Sequence, residues 1–131
     1  MSTIYLSGGI HGCTDSEASD WRKYAAKKLV GCGHTCMDPF REDFRGREKD
    51  FVDYLVEQDK EDIETCDILL VYFVNNNHIY AGTCMEILYA WQLDKEVVVV
   101  SDQFPNMSPW IYYHSDKQFT SLDEAIEYIC D

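Results

Sequence analysis

The chain has 131 residues, 46% hydrophobic and 27% charged, a size and balance typical of one globular domain with its own core. Its formal net charge of −13 at pH 7 argues against nucleic acids and anionic membranes as partners, because their like charge repels the chain over long range. No stretch reaches the roughly 18 apolar residues that a membrane-spanning helix needs.

Strand and helix patterns alternate along the chain. Short apolar runs bounded by glycine, proline or polar residues indicate strands, and apolar residues that recur every three or four positions indicate helices. The predicted elements, in chain order, are a strand at 3–7, a helix at about 16–29, a strand at 34–39, a helix at about 51–65, a strand at 67–74, a helix around Glu86, a strand at 96–101 and a helix at about 121–128. The charge-rich segment 40–50 and the proline-containing segment 102–116 are predicted to be loops.

This alternation predicts a single α/β domain over residues 1–131, with a doubly wound, mainly parallel sheet and helices on both faces, as in flavodoxin-like and Rossmann-like folds. Near-continuous apolar strands such as 67–74 are typical of a sheet that is covered on both faces. Ligands of such sheets bind at the carboxyl ends of the strands. The residues that follow predicted strand ends are Ser7, Gly8, Gly9, His11, Asp38, Arg41, the stretch 75–86 and the stretch 102–110.

The chain has six cysteines, and its N-terminal segment lacks the basic and apolar regions of a signal sequence. We therefore expect a cytoplasmic protein whose cysteines are mostly small core residues rather than disulfides. Only Cys32 and Cys36 have a spacing that suggests zinc ligands, and no second pair accompanies them. The sequence thus predicts no metal site.

The segment SGGIHG, residues 7–12, is rich in glycine and follows the first predicted strand. It lacks both the lysine of the phosphate loop and the G-x-G-x-x-G spacing. Two interpretations stay open: a backbone that closely approaches a sugar or one phosphate, and a plain tight turn into the first helix. His11 is the one histidine that merits a test, because it lies in this loop. The other histidines are expected at the surface or in packing.

Glu86 is set into the apolar stretch 81–90. We expect it on the first turn of a helix that follows Gly82, with Thr83 as the cap, where backbone N–H groups favour an anion. An ionised carboxylate in an apolar pocket is suited to attack an electrophilic carbon. The alternative is a glutamate that only complements the helix dipole.

One face of the predicted helix 51–65 carries an aspartate among apolar residues, namely Val52, Leu55, Val56, Asp59 and Ile63. An inward Asp59 near the strand ends would form a carboxylate pair with Glu86, and such pairs perform glycosidic-bond chemistry. A cap or a salt bridge is the alternative explanation for this aspartate. Tyr5, on the first strand, is placed to donate its hydroxyl to a carboxylate, although strand tyrosines commonly serve in packing.

With these residues identified, the chain resembles the nucleoside 2-deoxyribosyltransferase family. The segments that carry the resemblance are IYLSGG, DPFR, VEQDKEDIETCDILLVYF, AGTCMEILYAWQLDKEVVVV with the family's G-T-x-x-E pattern, and FPNMSPW. Each segment is short, but together they follow the family's order and spacing over nearly the whole length.

The resemblance implies that Glu86 is the nucleophile, which attacks C1′ of a 2′-deoxynucleoside, forms a covalent deoxyribosyl-enzyme and releases the base. A second base, or water, would then take the sugar with overall retention at C1′. Tyr5 would orient Glu86, and Asp59 would bind the sugar or base and assist proton movement. No cofactor is implied, since the carboxylate itself is the nucleophile.

The resemblance also implies further contacts with the substrate, a small deoxynucleoside or deoxynucleotide, and with the free base. These substrate-binding residues are Ser7, Gly8, Gly9, Ile10, Asp38, Tyr80, Gly82, Asn106 and Ser108. Asn106 lies in the loop that a neighbouring subunit would insert into the site, which implies a homo-oligomer. The apolar segment SPWIYYH, residues 108–114, favours an oligomer independently, because such a surface is more stable when it is covered.

Tyr80 departs from the family pattern, because several of these transferases have an aspartate six residues before the catalytic glutamate. A tyrosine hydroxyl is too weak an acid to protonate a base readily at neutral pH. A related branch of the superfamily hydrolyses nucleoside 5′-monophosphates and binds the phosphate with a Gly/Ser-rich first loop. The segment SGGIHG fits that alternative, with Arg22, Arg41 and Ser108 nearby, whereas the net charge of −13 opposes it.

Two other classes of protein also use this type of fold. A non-catalytic module would bind a nucleoside or nucleotide without releasing its base. A flavodoxin-like domain would bind a flavin, for which the 14% aromatic content offers stacking partners, but no Ser/Thr-rich phosphate loop follows the first strand.

Overall fold

Parallel strands form one sheet in the computed structural model, which describes residues 1–41, 45–73 and 80–131. The strands are β1 (Thr3–Gly8), β2 (Thr35–Met37), β3 (Ile68–Tyr72), β4 (Glu96–Val100) and β5 (Lys117–Phe119). Their order in the sheet is β2-β1-β3-β4-β5, and every neighbouring pair is parallel. The predicted fold class is confirmed.

Helices cover both faces of this sheet. They are α1 (Asp15–Gly31), α2 (Val52–Thr65), α3 (Ala81–Gln92), α4 (Pro109–Tyr113) and α5 (Leu122–Cys130), with 3₁₀ turns at Pro39–Arg41 and Glu48–Asp50. A capping box at Thr14 and Glu17 begins α1. Ser121 accepts the Glu124 N–H at the start of α5. None of the described helices is long and apolar enough to cross a bilayer.

Side chains of each strand alternate between two separate cores. Ile4 and Leu6 pack with α1 and α5 on one face, together with Leu70 and Val98. Tyr5 belongs to the core of the opposite face, with Leu69, Val97 and Val99 of the sheet, Ile63 of α2, Ile87 of α3 and Ile111 of α4. Tyr5 therefore points toward the layer that contains α2 and α3, and by the same alternation so does Ser7.

The segment after β4 contains more regular structure than the loop predicted at 102–116. The Ser108 hydroxyl accepts the Trp110 N–H and Pro109 takes the first helical position, so the short helix α4 begins there. β5 follows at Lys117–Phe119 and pairs with β4. Its three residues, with only Phe119 apolar, lack an apolar run that would predict a strand.

The predicted apolar face of the second helix is correct only for its C-terminal half. Ile63 is buried, but 53% of the Val52 surface and 49% of the Val56 surface are exposed. The reason is that the N-terminal half of α2 lies beside a cavity rather than over the sheet, since Leu55 and Asp59 line that cavity.

The expectation that the cysteines are not paired is wrong for Cys32 and Cys130. These two residues form a disulfide with 5.7 Å between their Cα atoms, which joins the C-terminal ends of α1 and α5. Cys32 is therefore not available as a thiolate ligand beside Cys36. Cys13, Cys36, Cys66 and Cys84 carry thiols, of which Cys13 and Cys66 are buried as core residues.

We expect the disulfide to stabilise the fold, because it closes a loop of 98 residues and restricts the unfolded chain. Cys130→Ser should lower the free energy of unfolding by about 3 kcal/mol. In urea titrations, wild type should lose a similar amount when dithiothreitol is added, and Cys130→Ser should not respond. Cys84→Ser, which removes a thiol outside the disulfide, should keep the response to the reductant. An unchanged free energy of unfolding of the wild-type protein in dithiothreitol would contradict this expectation.

Candidate active site

A cavity of about 550 Å³ opens at the carboxyl ends of β1 and β3, next to the point where the strand order reverses. This is the position at which doubly wound sheets bind ligands. The lining residues are Gly8, Gly9, Ile10, His11, Pro39, Arg45, Glu48, Leu55, Asp59, Tyr80, Ala81, Gly82, Thr83 and Glu86. The first loop, α2 and the start of α3 thus surround one space.

Two hydroxyl groups of β1 hold the carboxylate of Glu86. Tyr5 Oη donates to Oε2 at 2.7 Å, and Ser7 Oγ donates to Oε1 at 2.7 Å. Tyr5 and Ser7 are two residues apart on a strand, so their side chains leave the same face of the sheet. Each carboxylate oxygen therefore has its own donor, and the plane of the carboxylate is fixed relative to the cavity.

The position of Glu86 within its helix differs from the predicted one. α3 begins at Ala81 with Tyr80 as the N-cap, and no side chain caps it. Gly82 and Thr83 are helical residues, and Thr83 is buried rather than acting as the cap. Glu86 is thus the sixth residue of α3. The helix dipole acts mainly within the first turn, so it is not what stabilises this carboxylate.

The pKa of Glu86 is raised from the ordinary 4.5 to about 7. Burial is the largest cause and the negative charge of Asp59 is the second, whereas the hydrogen bonds from Tyr5 and Ser7 and the charge of Arg22 lower it. Burial and the adjacent Glu86 charge also raise the pKa of Tyr5, which keeps its hydroxyl protonated as a donor. A carboxyl group that titrates near neutral pH in a cleft is typical of active sites.

Asp59 faces the same cavity from α2 and is partly buried. Because its charge raises the pKa of Glu86, the two carboxyl groups act on one another across the cavity. The predicted pair of carboxylates is therefore assembled in space from two helices that flank β1.

The first loop contributes Gly8, Gly9 and Ile10 to the cavity wall. A Cβ atom on Gly9 would lie 2.6 Å from Cζ of Tyr80 and 2.8 Å from Sγ of Cys13. The Tyr80 ring therefore rests directly on Gly9, and both residues line the cavity. Only glycine permits this close approach.

Arg22 and Asp38 lie outside the cavity lining. For Arg22 this differs from the sequence-based expectation that it lies near a substrate phosphate. The Arg22 side chain is fully buried, so it does not face a ligand in the cavity. Asp38 lies 3.6 Å from Arg22 Nε and accepts the Phe40 N–H at 2.8 Å, while the neighbouring Pro39 lines the cavity. A direct contact between Asp38 and substrate stays a prediction.

Asn106 and Ser108 are also outside the cavity lining of a single chain. Asn106 is exposed in the turn after β4, and Ser108 caps α4. Their proposed contacts with a ligand, including that of Asn106 with a neighbouring subunit, stay predictions. The Arg41 side chain and the candidate stretch 75–79, which contains His78, lie outside the described residues.

Arg45 and Glu48 line the mouth of the cavity, in a segment that the sequence marked only as a solvated connection. Glu48 Oε2 lies 2.6 Å from Nδ1 of His11, and Arg45 donates to the carbonyl oxygen of Cys13 at 2.7 Å and pairs with Asp15. These contacts join the segment to the first loop. A dense mixture of both charges was its only signal in the sequence, and that pattern is also common on solvated surfaces.

A family model described as nucleoside 2-deoxyribosyltransferase like matches residues 1–104. A comparison with curated protein sequences finds no significant match.

Solved structures from several bacteria share the fold. A 2-deoxyribosyltransferase from Bacillus psychrosaccharolyticus has a TM-score of 0.77 at 20% identity, covering 96% of this chain and 91% of that chain. A CMP N-glycosidase from Clostridium botulinum has a TM-score of 0.62 at 15% identity, covering 97% and 95%. A conserved protein from Enterococcus faecalis has a TM-score of 0.70 at 16% identity, covering 98% and 97%.

The raised pKa of Glu86 predicts a pH-dependent cost to the native state. Ionising Glu86 is harder in the folded chain than in the unfolded one, so this cost is absent well below pH 4.5, grows as the pH rises toward 7, and is complete above it. Glu86→Gln, which is neutral throughout, should therefore gain stability relative to wild type between pH 5 and pH 8, by about 2 kcal/mol.

Urea unfolding of both proteins at the two pH values measures this difference. Glu57→Gln, at an exposed position of α2, serves as the control and should show no such gain. An equal difference between Glu86→Gln and wild type at both pH values would rule out the raised pKa.

Proposed function

Because the chain belongs to the nucleoside 2-deoxyribosyltransferase-like family, we propose that it cleaves the N-glycosidic bond of a 2′-deoxynucleoside and transfers the sugar to another base. Members of this family and structures of the same fold include both transferases and N-glycosidases. The observation that carries the proposal is the carboxylate of Glu86, held by Tyr5 and Ser7 at the wall of the cavity.

In the proposed first step, an oxygen of the ionised Glu86 attacks C1′ of the sugar. The bond from C1′ to the base nitrogen breaks, and its electron pair leaves with the base, which takes up a proton. The product is a deoxyribosyl ester of Glu86. In the second step, a nitrogen of another base attacks C1′, the carboxylate leaves and the attacking nitrogen gives up its proton, so two inversions give overall retention.

Tyr5 and Ser7 orient the attacking group, and each holds one oxygen without needing to titrate. Asp59 faces the reacting centre from α2 and supports the sugar or moves the proton of the departing base. A missing 2′-hydroxyl eases the reaction, because no electron-withdrawing oxygen then destabilises positive charge at C1′. A site with two carboxyl groups and no metal suffices for this chemistry.

Tyr80 takes the place of an aspartate that several family members use on the base. Burial raises the pKa of its hydroxyl, and the neighbouring Cys13 thiol raises it further. Tyr80 is thus a poor proton donor for a ring nitrogen, and its ring, seated on Gly9 at the cavity wall, is placed for contact with the base.

Hydrolysis of nucleoside 5′-monophosphates is the second candidate. The observation that favours it is that Arg45 lines the cavity together with the glycines of the first loop, so a guanidinium borders the space in which an anion would bind. The fold is shared with a CMP N-glycosidase. The net charge of −13 disfavours an anionic substrate at long range, although local groups can outweigh it.

We further propose that the active protein is a homo-oligomer. Exposed aromatic side chains cluster on α4 and the end of α3, with 73% of Trp110 and 69% of Tyr113 accessible. A second cavity of about 360 Å³ lies between Pro109, Trp110, Tyr113 and His114. A neutral aromatic surface of this kind lets two acidic chains associate and would bring the loop of Asn106 toward a neighbouring site.

The reaction can be identified by incubation with a panel of deoxynucleosides and their 5′-monophosphates, with and without added adenine, followed by chromatography. Transfer should give the adenine deoxynucleoside, hydrolysis should give free base and free sugar or sugar phosphate, and a binding module should give no product. Glu86→Ala should lower turnover by at least about 10³-fold, because the nucleophile is lost. Glu57→Ala should keep wild-type rates, and full activity in a folded Glu86→Ala protein would contradict the proposal.

Sedimentation velocity at micromolar concentration tests the oligomer. Wild type should sediment as more than one chain, and Trp110→Ser should shift the distribution toward the single chain, since it removes apolar surface from the interface. Val30→Ser removes an exposed apolar side chain from α1, on the opposite layer, and should leave the assembly unchanged. A wild-type protein that sediments as one chain would refute the assembly.

A further inference from the structure

Arg22 on α1 is the largest of the fully buried side chains, with no surface accessible to solvent. Burial disfavours its charge and lowers the pKa of Arg22, while the negative charges of Asp38 and Glu86 act in the opposite direction. A buried cation persists in a folded protein when hydrogen bonds and opposite charges compensate for its lost hydration. The hydrogen-bond partners of Arg22 therefore indicate which part of the structure it stabilises.

The guanidinium group binds carbonyl oxygens along the end of β1 and the first loop. Nε donates to Leu6 O at 3.3 Å, Nη2 to Gly8 O at 2.9 Å, and Nη1 to Gly9 O at 3.5 Å. Nη1 also donates to Ala18 O, one turn earlier in α1. The planar group with its several N–H donors thus ties the helix to the backbone that forms the cavity wall.

Ser7 lies between two of these fixed carbonyl groups. Its neighbours in the chain, Leu6 and Gly8, both bind Arg22, and its own hydroxyl binds Glu86 Oε1 at 2.7 Å. Gly8 is also closely packed, because a Cβ there would lie 2.9 Å from Trp21 and from the Tyr72 carbonyl oxygen. The location of the Ser7 hydroxyl is therefore set by backbone that Arg22 holds on both sides.

We propose that Arg22 is the positioning residue of this site, which holds Ser7, and through Ser7 the Glu86 carboxylate, from the side of the sheet opposite to the cavity. Arg22 touches neither substrate nor reacting atoms. The positioning itself stands on the contacts of the folded chain, and only its consequence for turnover rests on the proposed function.

The charges around Glu86 support this role. Tyr5 and Ser7 face it from β1, Asp59 from α2 and Arg22 from α1. Asp59 raises the pKa of Glu86, and Arg22 lowers it. The guanidinium, whose own charged neighbours include Asp38, thus offsets part of the repulsion between the two carboxylates and favours the ionised form that attacks.

The test compares two substitutions that separate the positive charge of Arg22 from the several N–H donors of its guanidinium group. Arg22→Met removes both. Arg22→Lys keeps a positive charge but cannot bind the same set of carbonyl groups. Lys23→Met, at the exposed neighbouring position on α1, is the control for loss of a positive charge from this helix.

The ionisation of Glu86 is followed by infrared difference spectra between each protein and the same protein carrying Glu86→Gln, and kcat and KM are measured for base release. Arg22→Met should raise the pKa of Glu86 above its value of about 7 and lower kcat by about 10²-fold. Arg22→Lys keeps the positive charge but should lose the hydrogen bond from Ser7, so it should raise the pKa of Glu86 less than Arg22→Met does and lower kcat by about tenfold, with little change in KM. Lys23→Met should match wild type in every measurement.

A residue that only stabilised the fold would change the unfolding midpoint and leave the Glu86 titration and kcat of the folded protein unaltered. That result in Arg22→Met would overturn the proposal. If Arg22→Met does not fold, the crystal structure of Arg22→Lys decides, since Ser7 Oγ should lie beyond hydrogen-bond range of Glu86. An unchanged 2.7 Å contact in that variant would refute the positioning role. Neither the titration nor the structure uses a substrate, so both hold if the proposed reaction is absent.

Discussion

The pair of hydrogen bonds from Tyr5 and Ser7 to the Glu86 carboxylate is the contact on which the site depends. It joins β1 to α3, two elements that are far apart in the sequence. Burial and the charge of Asp59 both disfavour an ionised Glu86, whereas the two hydroxyl donors favour it. The balance leaves its pKa at about 7, where the carboxyl group can exist in either form at neutral pH.

The sheet topology explains why these groups meet. β1 lies next to β3 in the order β2-β1-β3-β4-β5, so the loop after β1 and the start of α3, the helix that follows β3, lie at the same edge of the sheet. Close packing then sets the shape of the wall, because Gly9 lets the Tyr80 ring rest on the backbone and Gly8 lets the loop rest on Trp21. A larger residue at either glycine would displace the backbone that follows Ser7 at the end of β1.

The site brings charges of both signs together. The chain carries −13 in total, and the cavity lining includes the carboxyl groups of Glu48, Asp59 and Glu86 as well as the guanidinium of Arg45, with Arg22 buried beneath the first loop. Long-range repulsion is screened by salt within about 10 Å, whereas groups inside the cavity act at contact distance. The net charge of the chain therefore affects the association with large anionic partners more than the binding of a small ligand.

Part of this protein was readable from local sequence pattern. Alternating apolar runs and helical periods determined the α/β class and the positions of most helices and of four strands, because burial in each element depends mainly on its own side chains. The strand-end rule pointed to Gly8, Gly9, His11, Tyr80 and Glu86, and the inward face of the second predicted helix pointed to Asp59. All of these residues line one cavity. Short elements with weak patterns were missed, as with α4 and β5.

Only the tertiary structure decided which residues meet. Ser7 and Glu86 are 79 residues apart in the sequence, and Cys32 and Cys130 are 98 apart. Arg22 binds main-chain carbonyl groups, and no residue type in the sequence marks a main-chain carbonyl as a partner. The same holds for the start of α3, where a glycine and a threonine that read as turn and cap are helical. Such contacts follow from strand order and helix crossings, and no local period of the sequence encodes the distance between two distant side chains.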